Sequence, residues 1–183
     1  MRARATSEEN ARWLTSLQDA LGRSGKAGAD AVRYLRGHLI RLEVRPQTSG
    51  ARWTLDRRIE INPQYIGRGQ ASTYALSLVL HEIRHLQQGP ITALSVYGEL
   101  DAWRLQFGFL RGLRSAIPGS KRQQQVIQQL TDLPRGWSRE ALGRARRLMR
   151  EYAGAAYRID LLPLFPLHLE LIYAITRRIP GGR

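Results

Sequence analysis

The stretch Tyr74–Pro90, YALSLVLHEIRHLQQGP, decides how the chain is read. Leu76, Val79, Leu80, Ile83 and Leu86 recur at three- and four-residue spacing, which lines one side of an α-helix with apolar groups. Gly89-Pro90 then supplies the glycine and proline that stop a helix, so a helix is expected over Ser72–Gln88. His81 and His85 are four apart, which stacks them one turn above each other on a single face. Two imidazoles so placed reach one metal ion from a rigid support. Glu82 follows the first of them, where its carboxylate projects beside such an ion and can take a proton from water.

The composition narrows the ligand set. The 183 residues include no cysteine and only four histidines, His38, His81, His85 and His168. Thiolate ligands and disulfides are therefore excluded, and any metal must be held by His, Asp or Glu. Zinc suits this set. It lowers the pKa of a bound water from roughly 15.7 to about 7, and a neighbouring carboxylate moves the proton. A zinc hydrolase keeps three protein ligands and one open position, so a third ligand must come from elsewhere. Glu99, in YGELDAWRLQF, is the first choice. The break at Gly89-Pro90 lets the next helix fold back, and Gly98 permits a close approach. Asp101 is the second choice and His168 the third. Residues two apart on a helix point in different directions, so Glu99 and Asp101 are not expected to bind together.

Outward from the motif, Glu8–Leu21 and Asp30–Leu39 carry helical apolar spacing. Leu42–Val44, Arg52–Leu55 and Ile59–Ile61 are short segments of β-type residues, with Asp56-Arg57 as a hairpin turn. They predict a small antiparallel sheet at about residues 40–62, packed before the motif helix. Helices are expected again over Thr92–Ala116, Lys121–Leu130, from an N-cap at Ser138 to about Tyr157, and over part of Leu164–Arg178. The class is α+β and mostly helical. The length suits one domain over 1–183, with N-terminal helices at 1–40, a catalytic core at 41–116 and a C-terminal helical segment at 117–183. Trp13, Trp53, Trp103 and Trp137 are expected as core anchors.

The formal charge of +14 admits a nucleic-acid partner, but the arginines are scattered and only Lys26 and Lys121 are lysines, so this ranks as a lesser alternative. The basic helix around Arg144, Arg146, Arg147 and Arg150 is expected as a solvated face. Residues 1–12 hold no apolar leader, and no run reaches the about 20 apolar residues that span a bilayer, so a cytoplasmic protein with no transmembrane segment is expected. The most apolar stretch, Ile159–Ile175, is expected as a buried C-terminal segment, with an interfacial membrane helix as the alternative. His168 within it is expected as a core histidine. The oligomeric state is left open.

With these residues in hand, the chain resembles the zincin metallopeptidases of the gluzincin type, which carry H-E-x-x-H on one helix and a glutamate on a following one. Several such families write the second helix as E-x-x-A, and Glu99-Leu100-Asp101-Ala102 has that form. The resemblance covers roughly residues 50–110. It implies that His81, His85 and Glu99 ligate zinc, that Glu82 is the general base, and that the substrate is a peptide or protein. It also implies an edge strand before the motif helix that takes substrate as an added strand, with Ile59–Asn62 in that position. Two positions depart from the pattern. Arg84 stands where many members have an uncharged residue. Trp103 stands where many have an aspartate that orients a histidine ligand. Tyr97, Tyr152, Tyr157, Arg158 and His168 are the candidates for stabilising a developing oxyanion. The expectation is a zinc-dependent peptidase. The alternative is a non-catalytic metal-binding regulator, or a basic nucleic-acid or protein-binding module, on the same scaffold.

Overall fold

The computed structural model describes residues 6–65, 71–134 and 138–178, so Trp137 lies outside the described residues. The chain divides into two compact units that alternate along the sequence, Met1–Arg84 with Leu105–Ile117, and His85–Arg104 with Pro118–Arg183.

The first unit opens with α1 (Ser7–Arg23) and α2 (Lys26–Gly37). α1 begins where it does because Thr6 and Glu9 cap each other. The Thr6 hydroxyl accepts the Glu9 N–H at 3.2 Å and the Glu9 carboxylate accepts the Thr6 N–H at 2.7 Å. Trp13, Leu17 and Leu21 bury one face of α1, which packs on α2 through the side holding Ala31, Val32 and Leu35. α2 stops at Gly37, so Leu39, expected on its apolar face, falls outside it with a positive φ of 53°. Its side chain is exposed.

Three strands follow: β1 (Arg41–Val44), β2 (Ala51–Thr54) and β3 (Arg58–Ile61), in the spatial order β1-β3-β2. The expected hairpin is present. β2 and β3 are antiparallel, with Trp53 opposite Ile59, and Arg57 takes the left-handed conformation the turn needs, at φ 61°. The expectation of a wholly antiparallel sheet is corrected, because β1 pairs with β3 in parallel, Leu42 opposite Ile59. The cause is the connection at 45–50. It arches over the end of β3 and is pinned there by the Asn62 side-chain amide, which donates to the Gln47 carbonyl at 2.6 Å. β1 and β2 therefore flank β3 instead of each other. The same arrangement corrects the expected edge at Ile59–Asn62. β3 is the central strand, which is why Ile59, Glu60 and Ile61 are all buried. The edges are β1 and β2.

α3 (Thr73–Gln88) matches the helix expected over Ser72–Gln88, with the Ser72 hydroxyl accepting the Ala75 N–H at 3.2 Å. Leu76, Val79, Leu80 and Ile83 are buried.

The single helix expected over Thr92–Ala116 is two, α4 (Pro90–Ala93) in the second unit and α5 (Val96–Gly112), whose residues up to Arg104 belong to that unit. The break lies at Leu94-Ser95, because Ser95 starts a new helix. Its hydroxyl accepts the Gly98 N–H at 3.0 Å, and the Val96 and Tyr97 N–H groups donate to the Pro163 and Leu164 carbonyls at 2.9 and 3.1 Å. These bonds satisfy the first-turn donors that a helix leaves without internal acceptors.

α6 (Lys121–Asp132) packs on α7 (Arg139–Ala153), burying Val126, Ile127 and Leu130 on one and Leu142, Ala145 and Met149 on the other. On α7, Arg144, Arg147 and Arg150 are exposed as expected, while Arg146 is half-buried and donates to the Leu162 carbonyl at 2.5 Å. α7 ends at Ala153, four residues before the expected Tyr157, because Gly154 turns the chain at φ 80°. Ala155–Tyr157 forms a short 3-10 turn instead.

The chain ends its described part in α8 (Leu167–Arg178). Here the expected buried segment is corrected. Ile159 and Phe165 are buried, but Leu161, Leu167, His168, Leu171, Ile172 and Ile175 are exposed. α8 packs on α4, a helix of only four residues, which is too short to cover it. Among the described residues, no helix is long and apolar enough to cross a membrane.

Candidate metal centre

His81 and His85 lie one turn apart on α3, as the spacing requires, and Glu99 lies at the fourth residue of α5. Each of the three offers one ligand atom, and these atoms all lie within 4.8 Å of one another. Both histidines are buried and Glu99 is half-buried. The His85 Nε2 to Glu99 Oε1 distance is 3.5 Å. Two nitrogen or oxygen atoms that share one small cation stand about 3 Å apart, so this edge suits a shared metal ion. The group can hold a metal ion.

Close packing places Glu99. A Cβ added to Gly98 would lie 2.1 Å from the Thr92 carbonyl oxygen, so only a bare hydrogen lets the start of α5 press against the end of α4. The close approach that Gly98 permits is to α4, whereas the sequence reading sets it against the motif helix.

A hydrogen-bond chain fixes His85. The Gln88 side-chain Nε2 donates to the Gly98 carbonyl at 3.0 Å and to the Asp101 carboxylate at 2.8 Å. Both partners only accept, so the Gln88 amide can take just one orientation, with its oxygen toward the histidine. Gln88 Oε1 stands 3.2 Å from His85 Nδ1, which therefore carries the proton and leaves Nε2 with the lone pair a metal needs. Asp101, the second choice for third ligand, serves instead as the anchor of this chain. His168, the third choice, is exposed on α8 and outside the group.

A second chain ends on Glu99. Tyr157 donates its hydroxyl proton to Glu99 Oε2 at 2.5 Å, and the Trp103 indole N–H donates to the Tyr157 oxygen at 2.8 Å. Trp103 is four residues after Glu99, one turn along the same face of α5. Its ring also meets Tyr152 edge-on, with centroids 5.3 Å apart. Of the other oxyanion candidates, Tyr152 donates to the Pro118 carbonyl at 3.2 Å, Arg158 is exposed, and Tyr97 is half-buried in the first turn of α5.

Glu82 is buried beside His81, and its Oε2 accepts the Trp53 N–H of β2 at 2.9 Å. That N–H points away from β3. Bonded pairs alternate along an antiparallel ladder, and the Asn62 N–H donating to the Gly50 carbonyl at 2.9 Å puts Trp53, opposite Ile59, in a non-bonded pair. Trp53 is the half-buried member of the expected tryptophan anchors, whereas Trp13 and Trp103 are buried.

Sequence reasoning named the three ligand candidates and Glu82. It passed over Gln88, whose signal was available as a polar side chain three residues after His85 on the same helix. It named Tyr157 only for another role, because a partner that distant in sequence leaves no local pattern. No family model matches the chain, and no curated protein and no solved structure is significantly similar to it.

Proposed function

We propose that the chain is a zinc-dependent peptidase in which His81, His85 and Glu99 hold the metal and Glu82 is the general base. The observation that carries this reading is the buried His81, His85 and Glu99 group, with ligand atoms within 4.8 Å and a carboxylate at the adjoining residue. Zinc in such a set supplies Lewis acidity, making a water acidic near neutral pH and polarising the scissile carbonyl.

The protein's own groups do the rest. The Asp101–Gln88 chain presents His85 Nε2, and the close contact at Gly98 presents Glu99. Glu82, steadied by the Trp53 N–H, takes a proton from the attacking water as its oxygen bonds to the carbonyl carbon. The carbon–nitrogen bond then breaks, and Glu82 returns the proton to the leaving amine. The outer edge of β2 beside Glu82 is where an extended peptide would add as a strand, in place of the edge expected at Ile59–Asn62.

Elemental analysis of purified protein should find about one zinc per chain. Glu82→Gln should keep that zinc and lose peptide cleavage by at least about a hundredfold. Cleavage by this variant at the wild-type rate would overturn the mechanism. The engagement of Glu82 by a backbone N–H favours one second reading, a metal-binding scaffold without turnover. Wild-type protein that holds zinc but cleaves no unfolded protein or peptide library would select it.

A further inference from the structure

We infer that Tyr157 is a positioning residue that makes Glu99 a one-oxygen ligand and so keeps a coordination position of the metal open. The inference rests on the reading of His81, His85 and Glu99 as a metal site. It goes beyond that reading by giving a task to the Trp103–Tyr157 pair.

The two oxygens of Glu99 have different surroundings. Oε1 faces His85 Nε2 at 3.5 Å, where the ligand atoms converge. Oε2 accepts the Tyr157 hydroxyl at 2.5 Å. A carboxylate can bind a metal through one oxygen or through both. An oxygen already accepting a short hydrogen bond from a phenol is turned toward that donor and away from the ion. Ligation through Oε1 alone gives three protein ligands, which is the number that leaves room for water and substrate. Ligation through both oxygens would fill that room.

The tyrosine is itself held. The Trp103 indole N–H has no acceptor capacity, so its bond to the Tyr157 oxygen at 2.8 Å fixes the phenol as donor toward Glu99. The rings meet at 64° with centroids 5.5 Å apart, which fixes the tilt of the phenol as well. Gly154 and Arg158, at φ 80° and 54°, set the ends of the short turn that carries Tyr157. Trp103, the departure from the resembled pattern, thus orients the glutamate ligand through Tyr157, while Asp101 and Gln88 orient the histidine.

The test uses the full chain, stripped of metal and titrated with Zn2+ and with Co2+, in wild type, Tyr157→Phe, Trp103→Phe, Glu99→Ala and the Tyr157→Phe/Glu99→Ala double variant. Cobalt is the probe because its visible absorption is strong in four-coordinate sites and markedly weaker in five-coordinate ones. Tyr157→Phe should bind zinc about 10–100-fold differently from wild type, and its cobalt bands should weaken and shift as Glu99 turns both oxygens inward. Trp103→Phe should move both readouts the same way by a smaller amount. In the Glu99→Ala background, Tyr157→Phe should change neither.

A merely structural tyrosine would leave the cobalt bands of the folded fraction unchanged, and circular dichroism before metal addition gives that fraction. Wild-type cobalt bands that persist in Tyr157→Phe overturn the inference and leave the metal site standing. Equal effects of Tyr157→Phe with and without Glu99 overturn it as well. A wild-type chain that binds neither ion removes the site and the inference together.

Discussion

α3 and α8 are alike as strings of letters. Each sets leucine and isoleucine against a few polar groups, and each carries histidine, His81 and His85 on one and His168 on the other. In the structure they differ in nearly every respect. α3 buries Leu76, Val79, Leu80 and Ile83, and its two histidines as well. α8 leaves Leu167, Leu171, Ile172 and Ile175 exposed, and His168 with them. Spacing shows that a helix has an apolar side. It does not show whether the fold supplies anything to cover that side. α3 has a neighbouring sheet whose β2 backbone reaches Glu82, whereas α8 packs on the four residues of α4.

The contrast can be broken most directly at the histidines. His81→Ala or His85→Ala should weaken zinc binding by more than about a hundredfold, since loss of a ligand exceeds the cost of disturbing its support. His168→Ala should leave affinity unchanged. Calorimetric titration decides it, and an equal loss at His168 would mean that α8 and not α5 completes the site.

The apolar sides give the next largest difference. Ile83, 1% exposed, should cost about 2–5 kcal/mol as Ile83→Ala, through lost burial and the cavity left behind. Leu171, 62% exposed, should cost within about 0.5 kcal/mol as Leu171→Ala. Urea unfolding of both variants measures the pair. A large loss at Leu171 would show that α8 is covered in solution.

Gly98→Ala sharpens the comparison at the neighbour that serves α3. The added methyl meets the Thr92 backbone, so about 1–3 kcal/mol of stability should be lost, together with zinc affinity as Glu99 shifts. Unchanged zinc affinity in a destabilised variant would separate the packing of α5 from the position of its carboxylate.

The smallest effect lies at the turn between β2 and β3. The Thr54 hydroxyl, and then the Arg58 guanidinium, hold the Asp56 carboxyl below its ordinary 3.8. A carboxyl with a lowered folded-state pKa adds stability above its unfolded value, and that stability is lost as pH falls through the folded one. Asp56→Asn should therefore be slightly less stable than wild type at pH 7, with the gap closing below about pH 3.8. A gap that widened in acid would reverse the assigned sign.

Much of this was legible because it is local. Ser138 is a cap read within a few residues of the helix it starts. The spacing of His81, Glu82 and His85 is likewise a property of one helix, and Glu99 follows from a break and a glycine nearby. What was not legible depends on partners far along the chain. Ser95 divides what reads as one helix because the Pro163 and Leu164 carbonyls receive the freed donors. β1 pairs with β3 in parallel because Asn62 pins the 45–50 connection over the sheet end. Trp103 looked like the loss of a needed aspartate. Its hydrogen-bond partner shows only once Tyr157 is beside it.

The bond from Tyr157 to Glu99 joins residues 58 apart. Ribosomes make the chain from its N-terminus, so His81, His85 and Glu99 all emerge well before the phenol that restrains the carboxylate. During synthesis there is an interval in which Glu99 is present and its hydroxyl partner is not. A chain cut short before Tyr157 would therefore carry His81, His85 and Glu99 without the bond that holds Glu99 Oε2.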